Sequence, residues 1–343
     1  MKKRLSIIAC NSGRYFVNEM LATLLDIMPT DAFRLIKTKQ VYFANGEVKT
    51  VIEEPIRGDD VYVVQCLEDP VSERSLNDKL MALMTAVDAA RRSDAHQVTA
   101  IVLPYPYARQ DKQGAREPIT ASFLANFLEQ LGVDKVITLD VHAEATAGFF
   151  RRAIFFNLHA SHALMRYVKK TFLSDLQDLV VVSPDAGGTK RAKFFAKTMR
   201  AKLAIVYKER DYSTVNKIEK TTLVGDVRDK DVLIVDDMVD TGGTVESVIL
   251  MLKESGAKNI YFACSHALLN GQAIERLDNL YKKGYLKAVI ATNTVFRGKQ
   301  FSEDHSWFHS VSIAPFVAKV IKNVNSGDSA VSVIEEEYAD DFK

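Results

Sequence analysis

The sequence predicts an α/β chain made of two similar domains, each a mostly parallel sheet flanked by helices. Three observations carry that expectation. Short continuous apolar runs alternate with longer amphipathic segments, as in parallel strands buried on both faces beneath covering helices. The 343 residues, 47% of them hydrophobic, suffice for two cores of ordinary size. Finally, Thr120, Gly132, His142 and Ala143 recur as Thr244, Gly256, His266 and Ala267, each 124 positions later. Gly often follows a helix in any α/β unit, but four matches on like elements read as duplication.

The elements follow in order. Residues 5–10, "LSIIAC", form a first strand; the run contains a serine and is shorter than the ~7–15 residues of a secretory apolar region. "VYVVQ" is a strand, "LNDKLMALMTAVDAARRS" a helix, "VTAIVLPYPY" a strand, "ITASFLANFLEQLG" a helix closed by Gly, and "DKVITLDVH" a strand. The second half repeats the rhythm with "LVVVSPDAGG", "TKRAKFFAKTMRAK", "DVLIVDDMVDTGG", "TVESVILMLKESG" and "KNIYFACSHALL". The closing "NSGDSAVSVIEEEYADDFK" turns polar and acidic, and at least its last half is expected to be mobile.

Bulk chemistry narrows the function. Lys plus Arg (45) nearly balances Asp plus Glu (44), so a net charge of +1 gives no support for a nucleic-acid partner. No run approaches the ~18–20 apolar residues of a membrane span. Cys10, Cys66 and Cys264 are scattered and odd in number, which suits a reducing, cytoplasmic setting better than a disulfide scaffold.

The most informative stretch is 232–244, "VLIVDDMVDTGGT". An apolar strand runs into Asp236 and Asp237, Asp240 follows, and Thr241-Gly242-Gly243-Thr244 opens a helix. Glycine-rich turns at helix N-termini hold phosphate on backbone N–H groups, and ligands gather beyond the carboxyl ends of parallel strands. Three carboxylates beside an anion site suit a sugar phosphate: the acids accept from vicinal hydroxyls while the loop takes the phosphate. A capped acidic turn explains one acid and not three.

"VDDMVDTGGT" resembles the phosphoribosyl diphosphate (PRPP) binding signature of type I phosphoribosyltransferase folds. Further blocks resemble the ribose-phosphate pyrophosphokinase (PRPP synthetase) family in order: "FANGEVKTVIEEPIRGDDVYVVQ", "YPYARQDKQGAREPITASFLANFLEQLG", "VITLDVHAEATAGFF", "VVSPDAGGTKRAK" and "GDVRDKDVLIVDD". The similarity runs from about residue 5 to about residue 333. It implies two domains of type I phosphoribosyltransferase-like fold: 1–155 on the ATP side, 156–325 on the ribose 5-phosphate side, and a tail over 326–343. It also implies that ATP and ribose 5-phosphate give PRPP and AMP, with Mg²⁺ present.

The resemblance assigns residue roles. Phe43, Asn45 and Glu47 of "FANGE" complete the adenine site from a neighbouring subunit, so a homo-oligomer, hexamer or dimer, is expected. Arg109 and Gln110 of "YARQD" contact ATP. "LDVH" places Asp140 and His142 two apart at a strand end, hence on one face; by family pattern His142 neighbours the ATP phosphates and Mg²⁺, and Asp140 lies near the metal. In "SPDAGG", Asp185 is the Mg²⁺ and ribose-side carboxylate, and residues 186–188 let diphosphate approach the backbone. Residues 207–220 form a mobile catalytic loop in the family, making Lys208 and Arg210 the cations that stabilise the transferring diphosphoryl group.

Departures fall in one place. Ala145-Thr146-Ala147 and "RRAIFFN" replace the family's usual residues, with Arg151 and, after a one-residue insertion, Phe156 where acids are common. Metal contacts of those acids do not carry over, and the loop between Asp111 and Pro118 is slightly short. Subunit contacts and regulation are affected before chemistry. Two alternatives remain. A non-catalytic synthetase-associated regulatory subunit would be expected to lose Lys208, Arg210 or the 236–244 loop, all present here; a phosphoribosyltransferase leaves "YARQD" and "LDVH" without a role.

Overall fold

Strand β1 (Leu5–Ala9) is buried along its whole length, as a central parallel strand must be. The computed structural model to which it belongs describes residues 3–172, 178–210 and 219–333, with backbone alone at 208–210 and 219–220. After β1 come α1 (Arg14–Ile27), β2 (Phe33–Leu35), β3 (Thr38–Tyr42), β4 (Val48–Ile52), β5 (Asp60–Cys66), α2 (Leu76–Arg92), β6 (Gln97–Leu103), α3 (Thr120–Gln130), β7 (Lys135–Leu139) and β8 (Ile154–Leu158). The main sheet has the order β2-β1-β5-β6-β7-β8, with every pairing parallel. β3 and β4 pair with each other as an antiparallel hairpin. Helix α2 starts on a reciprocal cap, Ser75 accepting from the Asp78 N–H while the Asp78 carboxylate accepts from the Ser75 N–H. Its apolar face, including Leu83 and Val87, joins Val61, Val63, Leu124 and Val136 in one buried cluster.

The second compact unit holds α4 (Ser161–Thr171), β9 (Leu179–Ser183), α5 (Thr189–Thr198), β10 (Lys202–Arg210), β11 (Glu219–Val224), β12 (Asp231–Val239), α6 (Gly243–Glu254), β13 (Ile260–Ala267), α7 (Ala273–Lys282), β14 (Ala288–Thr292), α8 (Gln300–Asp304) and β15 (Phe308–Val311). Its sheet runs β11-β10-β9-β12-β13-β14-β15, parallel except for the β10–β11 pair. Helix α9 (Ala314–Ser326) then belongs to the first unit, as do Asn293–Arg297. There the Tyr62 hydroxyl donates to the Ile321 carbonyl (3.4 Å) and the Asn325 amide to Asp60 (3.1 Å). The sequence-based ranges drew this differently: 156–325 counted both segments with the second domain, because ranges along a chain cannot express a helix that returns. Residues 334–343, the acidic end, lie outside the described residues.

With edge strand β11 set aside, both sheets have the same order: second strand, first strand, then the rest in succession. The architecture is duplicated, but the echo that suggested it pairs the wrong elements. By sheet position β12 matches β5 and α6 matches α2, whereas the 124-residue offset matches α6 to α3. Gly132 (φ 87°) and Gly256 (φ 89°) both end helices in the left-handed conformation, so the shared spacing is local grammar. His142 is exposed in a loop while His266 is buried inside β13.

Candidate active site

In open parallel sheets the crevice lies where strand order reverses, in the second unit between the carboxyl ends of β9 and β12. Both sequence motifs of that unit arrive there. Asp185 follows β9; it is exposed, and its Oδ1 accepts the Gly188 N–H at 2.8 Å. A Cβ on Gly188 would lie 2.9 Å from Ser183 Oγ, pressing on a hydroxyl that donates to the Asp185 carbonyl at 2.7 Å. Asp236 and Asp237 are the last-but-few residues of β12, and the turn through Asp240 and Thr241 reaches Gly242 at φ 76°, the residue before α6. Thr241 and Thr244 are exposed, with Gly243 partly so.

The acid pair is more constrained than the sequence suggests. Asp237 N–H donates to Asp236 Oδ1 (2.8 Å) and Met238 N–H to Asp237 Oδ1 (2.9 Å). Arg191, on α5, places Nη1 3.3 Å from Asp236 Oδ1 and 3.9 Å from Asp237 Oδ1. Burial pushes the Asp236 carboxyl well above the usual carboxylate range and the Asp237 charge pushes the same way, while Arg191 opposes both. Asp240 accepts from the Asn270 side chain (2.9 Å), and its carbonyl accepts the Asn270 N–H (2.9 Å). Arg276 of α7 bonds Glu246 at 2.6 Å and lies against the open side of Gly243.

The first unit supplies a second group. Asp140 comes directly after β7 with φ 40°, buried, its Oδ1 2.8 Å from His159 Nδ1. That left-handed residue overturns the alternation argument: the strand ends at Leu139, the chain turns, and His142 is exposed while Asp140 is not. Arg109 and Gln110 are exposed beyond β6, and Gln110 accepts from Thr120 Oγ1 (2.6 Å), fixing it to the start of α3. Phe43, Asn45 and Glu47 occupy the exposed tip of the β3–β4 hairpin, with Lys49 Nζ 5.5 Å above the Phe43 ring. Lys208 and Arg210 stand on β10 opposite Thr221 and Glu219; their side chains, and the loop at 211–218 expected to move, lie outside the described residues.

Comparison with known proteins decides the family. Residues 5–132 match the N-terminal domain of ribose phosphate pyrophosphokinase and residues 155–298 the phosphoribosyl transferase domain. The chain is 36% identical to ribose-phosphate pyrophosphokinase A of Dictyostelium discoideum, over 98% of this chain and 99% of that one. It is 38% identical to a ribose-phosphate pyrophosphokinase of Corynebacterium efficiens, over 85% and 86% respectively. The chain belongs to the ribose-phosphate pyrophosphokinase family. A crystal structure of phosphoribosylpyrophosphate synthetase from Mycobacterium smegmatis superposes with TM-score 0.82 at 31% identity, covering 95% of this chain and all of that one. The duplicated sheets are thus the architecture of a pyrophosphokinase.

Each unit offers one carboxylate of a kind that suits Mg²⁺, Asp140 in the first and Asp185 in the second. This ion takes oxygen ligands and is usually held by one or two carboxylates plus substrate phosphates. Asp140 and Asp185 each commit Oδ1 within the protein. Among the described residues no three His, Cys, Asp or Glu side chains gather to hold a metal alone. Sequence reasoning missed Arg191, His159, Asn270 and Arg276. The motif "TKRAK" displayed Arg191, but nothing local says that its partner is 45 residues away.

Proposed function

We propose that this pyrophosphokinase transfers the β,γ-diphosphoryl group of ATP to the anomeric hydroxyl of ribose 5-phosphate, giving PRPP and AMP. The observation that carries the reading is the junction of half-buried Asp236 and buried Asp237 with the Gly242 turn at the N-terminus of α6. Backbone N–H groups of 241–244 receive the sugar's phosphate, and Asp240, bound to Asn270, shapes their turn. The acid pair accepts from the vicinal hydroxyls. Asp185 lies on the ribose side, beside the glycines that leave the diphosphate room.

The anomeric oxygen attacks the β-phosphorus, forming one P–O bond as the α,β-bridging bond breaks; the hydroxyl proton leaves to solvent and AMP departs with the bridging oxygen. Such a transfer demands positioning and charge neutralisation rather than covalent help. Lys208 and Arg210 supply positive charge to the transferring group. Asp140, His142 and Asp185 are the residues that would neighbour Mg²⁺ bound with ATP, and the ion would supply further neutralisation. Arg109, Gln110 and His142 hold ATP, and Phe43, Asn45 and Glu47 of a neighbouring copy take the adenine in a cytoplasmic homo-oligomer.

Lys208→Ala tests the assignment: kcat should fall by ~10²–10³ or more, as for loss of a transition-state contact. A variant with near-normal kcat would remove Lys208 from the mechanism.

A further inference from the structure

Three residues at and just before the start of α7, Asn270, Ala273 and Arg276, meet the turn that precedes α6 one after another. Asn270 binds Asp240 through its side chain and through its N–H, both at 2.9 Å. Ala273 Cα would lie 3.2 Å from a Cβ on Gly242, and Arg276 Nη1 3.5 Å from one on Gly243. Arg276 Nη1 also donates to Glu246 at 2.6 Å, and Nη2 to Gln272 Oε1 at 3.1 Å. Its Nε is buried and meets no acceptor among the described residues, a condition rare enough in buried groups to call for a purpose other than stability.

Glu246 occupies the first turn of α6. Its N–H is committed to the Gly242 carbonyl (2.9 Å), so it brings the turn a charge and no free donor. A carboxylate suits an isolated helix N-terminus, but beside a phosphate cradle it repels the anion to be held there. Arg276 sets the opposite charge against both Glu246 and Gly243. The two side chains are 34% and 31% exposed, and a bridge so open to water contributes little to stability. Its larger consequence is the charge at the turn. Whatever other charged groups stand near, removing the guanidinium lowers that charge by one, and removing the carboxylate raises it by one.

We propose that Arg276 is a positioning residue for the sugar phosphate, cancelling the Glu246 charge beside the 241–244 turn so that the turn accepts a dianion. The inference rests on the reading of that turn as part of the ribose 5-phosphate site. The two partners then act in opposite directions. Loss of Arg276 sets an unmasked carboxylate beside the phosphate, whereas loss of Glu246 leaves a cation there. A bridge that merely tied α7 to α6 would behave otherwise, because cutting it from either end releases the same tie.

The test is KM for ribose 5-phosphate and for ATP, with kcat, at about pH 8, where the sugar's phosphate is a dianion. The proteins are the wild type, Arg276→Gln, Arg276→Lys, Glu246→Gln, the double variant Arg276→Gln/Glu246→Gln, and Gly242→Ala. Arg276→Gln should raise the sugar KM about tenfold, with ATP KM unchanged and kcat affected less than the sugar KM. Glu246→Gln should leave the sugar KM at or below the wild-type value, and the double variant should return to within about threefold of it. Arg276→Lys keeps the charge and should stay close to wild type. If Arg276→Gln fails to fold, the lysine variant and Glu246→Gln carry the test, and a sugar KM raised by Glu246→Gln overturns the proposal. Equal rises in Arg276→Gln and Glu246→Gln would make the bridge a simple tie and overturn it, as would a double variant that keeps the full deficit. If Gly242→Ala raises the sugar KM while none of the Arg276 and Glu246 variants does, the inference fails and the sugar-site reading stands. If Gly242→Ala also leaves it unchanged, the reading of the turn fails with it.

Discussion

At the scale of single residues, the departures around Arg151 have a physical counterpart that the sequence hid. Glu129, at the end of α3, is buried and its Oε1 accepts three backbone N–H groups, from Arg151 (2.8 Å), Arg152 (2.6 Å) and Ala153 (2.8 Å). The Arg152 guanidinium donates back to the Glu129 carbonyl at 3.1 Å. One side chain thus anchors the inserted segment before β8. Burial alone would raise the Glu129 pKa, but the three N–H bonds outweigh it and hold it below the ordinary 4.5. Glu129→Ala should cost about 3 kcal/mol, roughly 1 for each N–H left without an acceptor, read from the denaturant midpoint. Because the unfolded chain takes up this proton first, the contribution is complete above pH 4.5 and is lost as pH falls through the lower folded pKa. The difference between wild type and Glu129→Gln should therefore narrow on acidification; a constant difference would mean that the charge is irrelevant. The acids of the 236–244 motif were legible because chemistry and spacing sit together. Glu129 and Arg191 were not, because their partners are distant in sequence.

At the scale of elements, apolar runs located the main strands well, since a strand buried on both faces must be continuously apolar. Their ends were less legible. Asp140 turns left-handed and breaks the "LDVH" alternation, and β12 continues past the apolar run through both acids to Val239. The β3–β4 hairpin escaped notice because its half-buried residues lack a continuous apolar run. The turn before α6 makes the sharpest element-level prediction. Gly242 has φ 76°, and a Cβ there would lie 3.2 Å from Ala273 Cα, whereas Gly271 has φ 58° with nothing within 4 Å. Gly271→Ala should cost only backbone strain, ~1 kcal/mol. Gly242→Ala adds the clash with α7, displaces the 241–244 N–H groups, and should raise the ribose 5-phosphate KM, which Gly271→Ala should not. Equal sugar KM in the two variants would separate the turn from phosphate binding.

At the scale of the whole molecule, sequence rhythm indicated two α/β units but not their strand order, because sheet order depends on which buried faces meet rather than on periodicity. Sheet order is also what corrected the 124-residue echo. The return of α9 to the first unit was equally invisible. Its Val317, Val320 and Ile321 are fully buried, worth ~1.5–3 kcal/mol each, so a chain ending at Ser312 should lose ~10 °C or more in thermal midpoint. An unchanged midpoint would show that the first unit holds without it. The family membership rests on matches along nearly the full chain, and the activity is best tested on that full chain. The direct measurement is AMP release from Mg²⁺-ATP by the purified protein in phosphate buffer, with and without ribose 5-phosphate. AMP that appears only with the sugar phosphate and is matched by PRPP is the predicted result. No AMP with either mixture, from folded and assembled protein, would contradict it and favour a non-catalytic regulatory subunit.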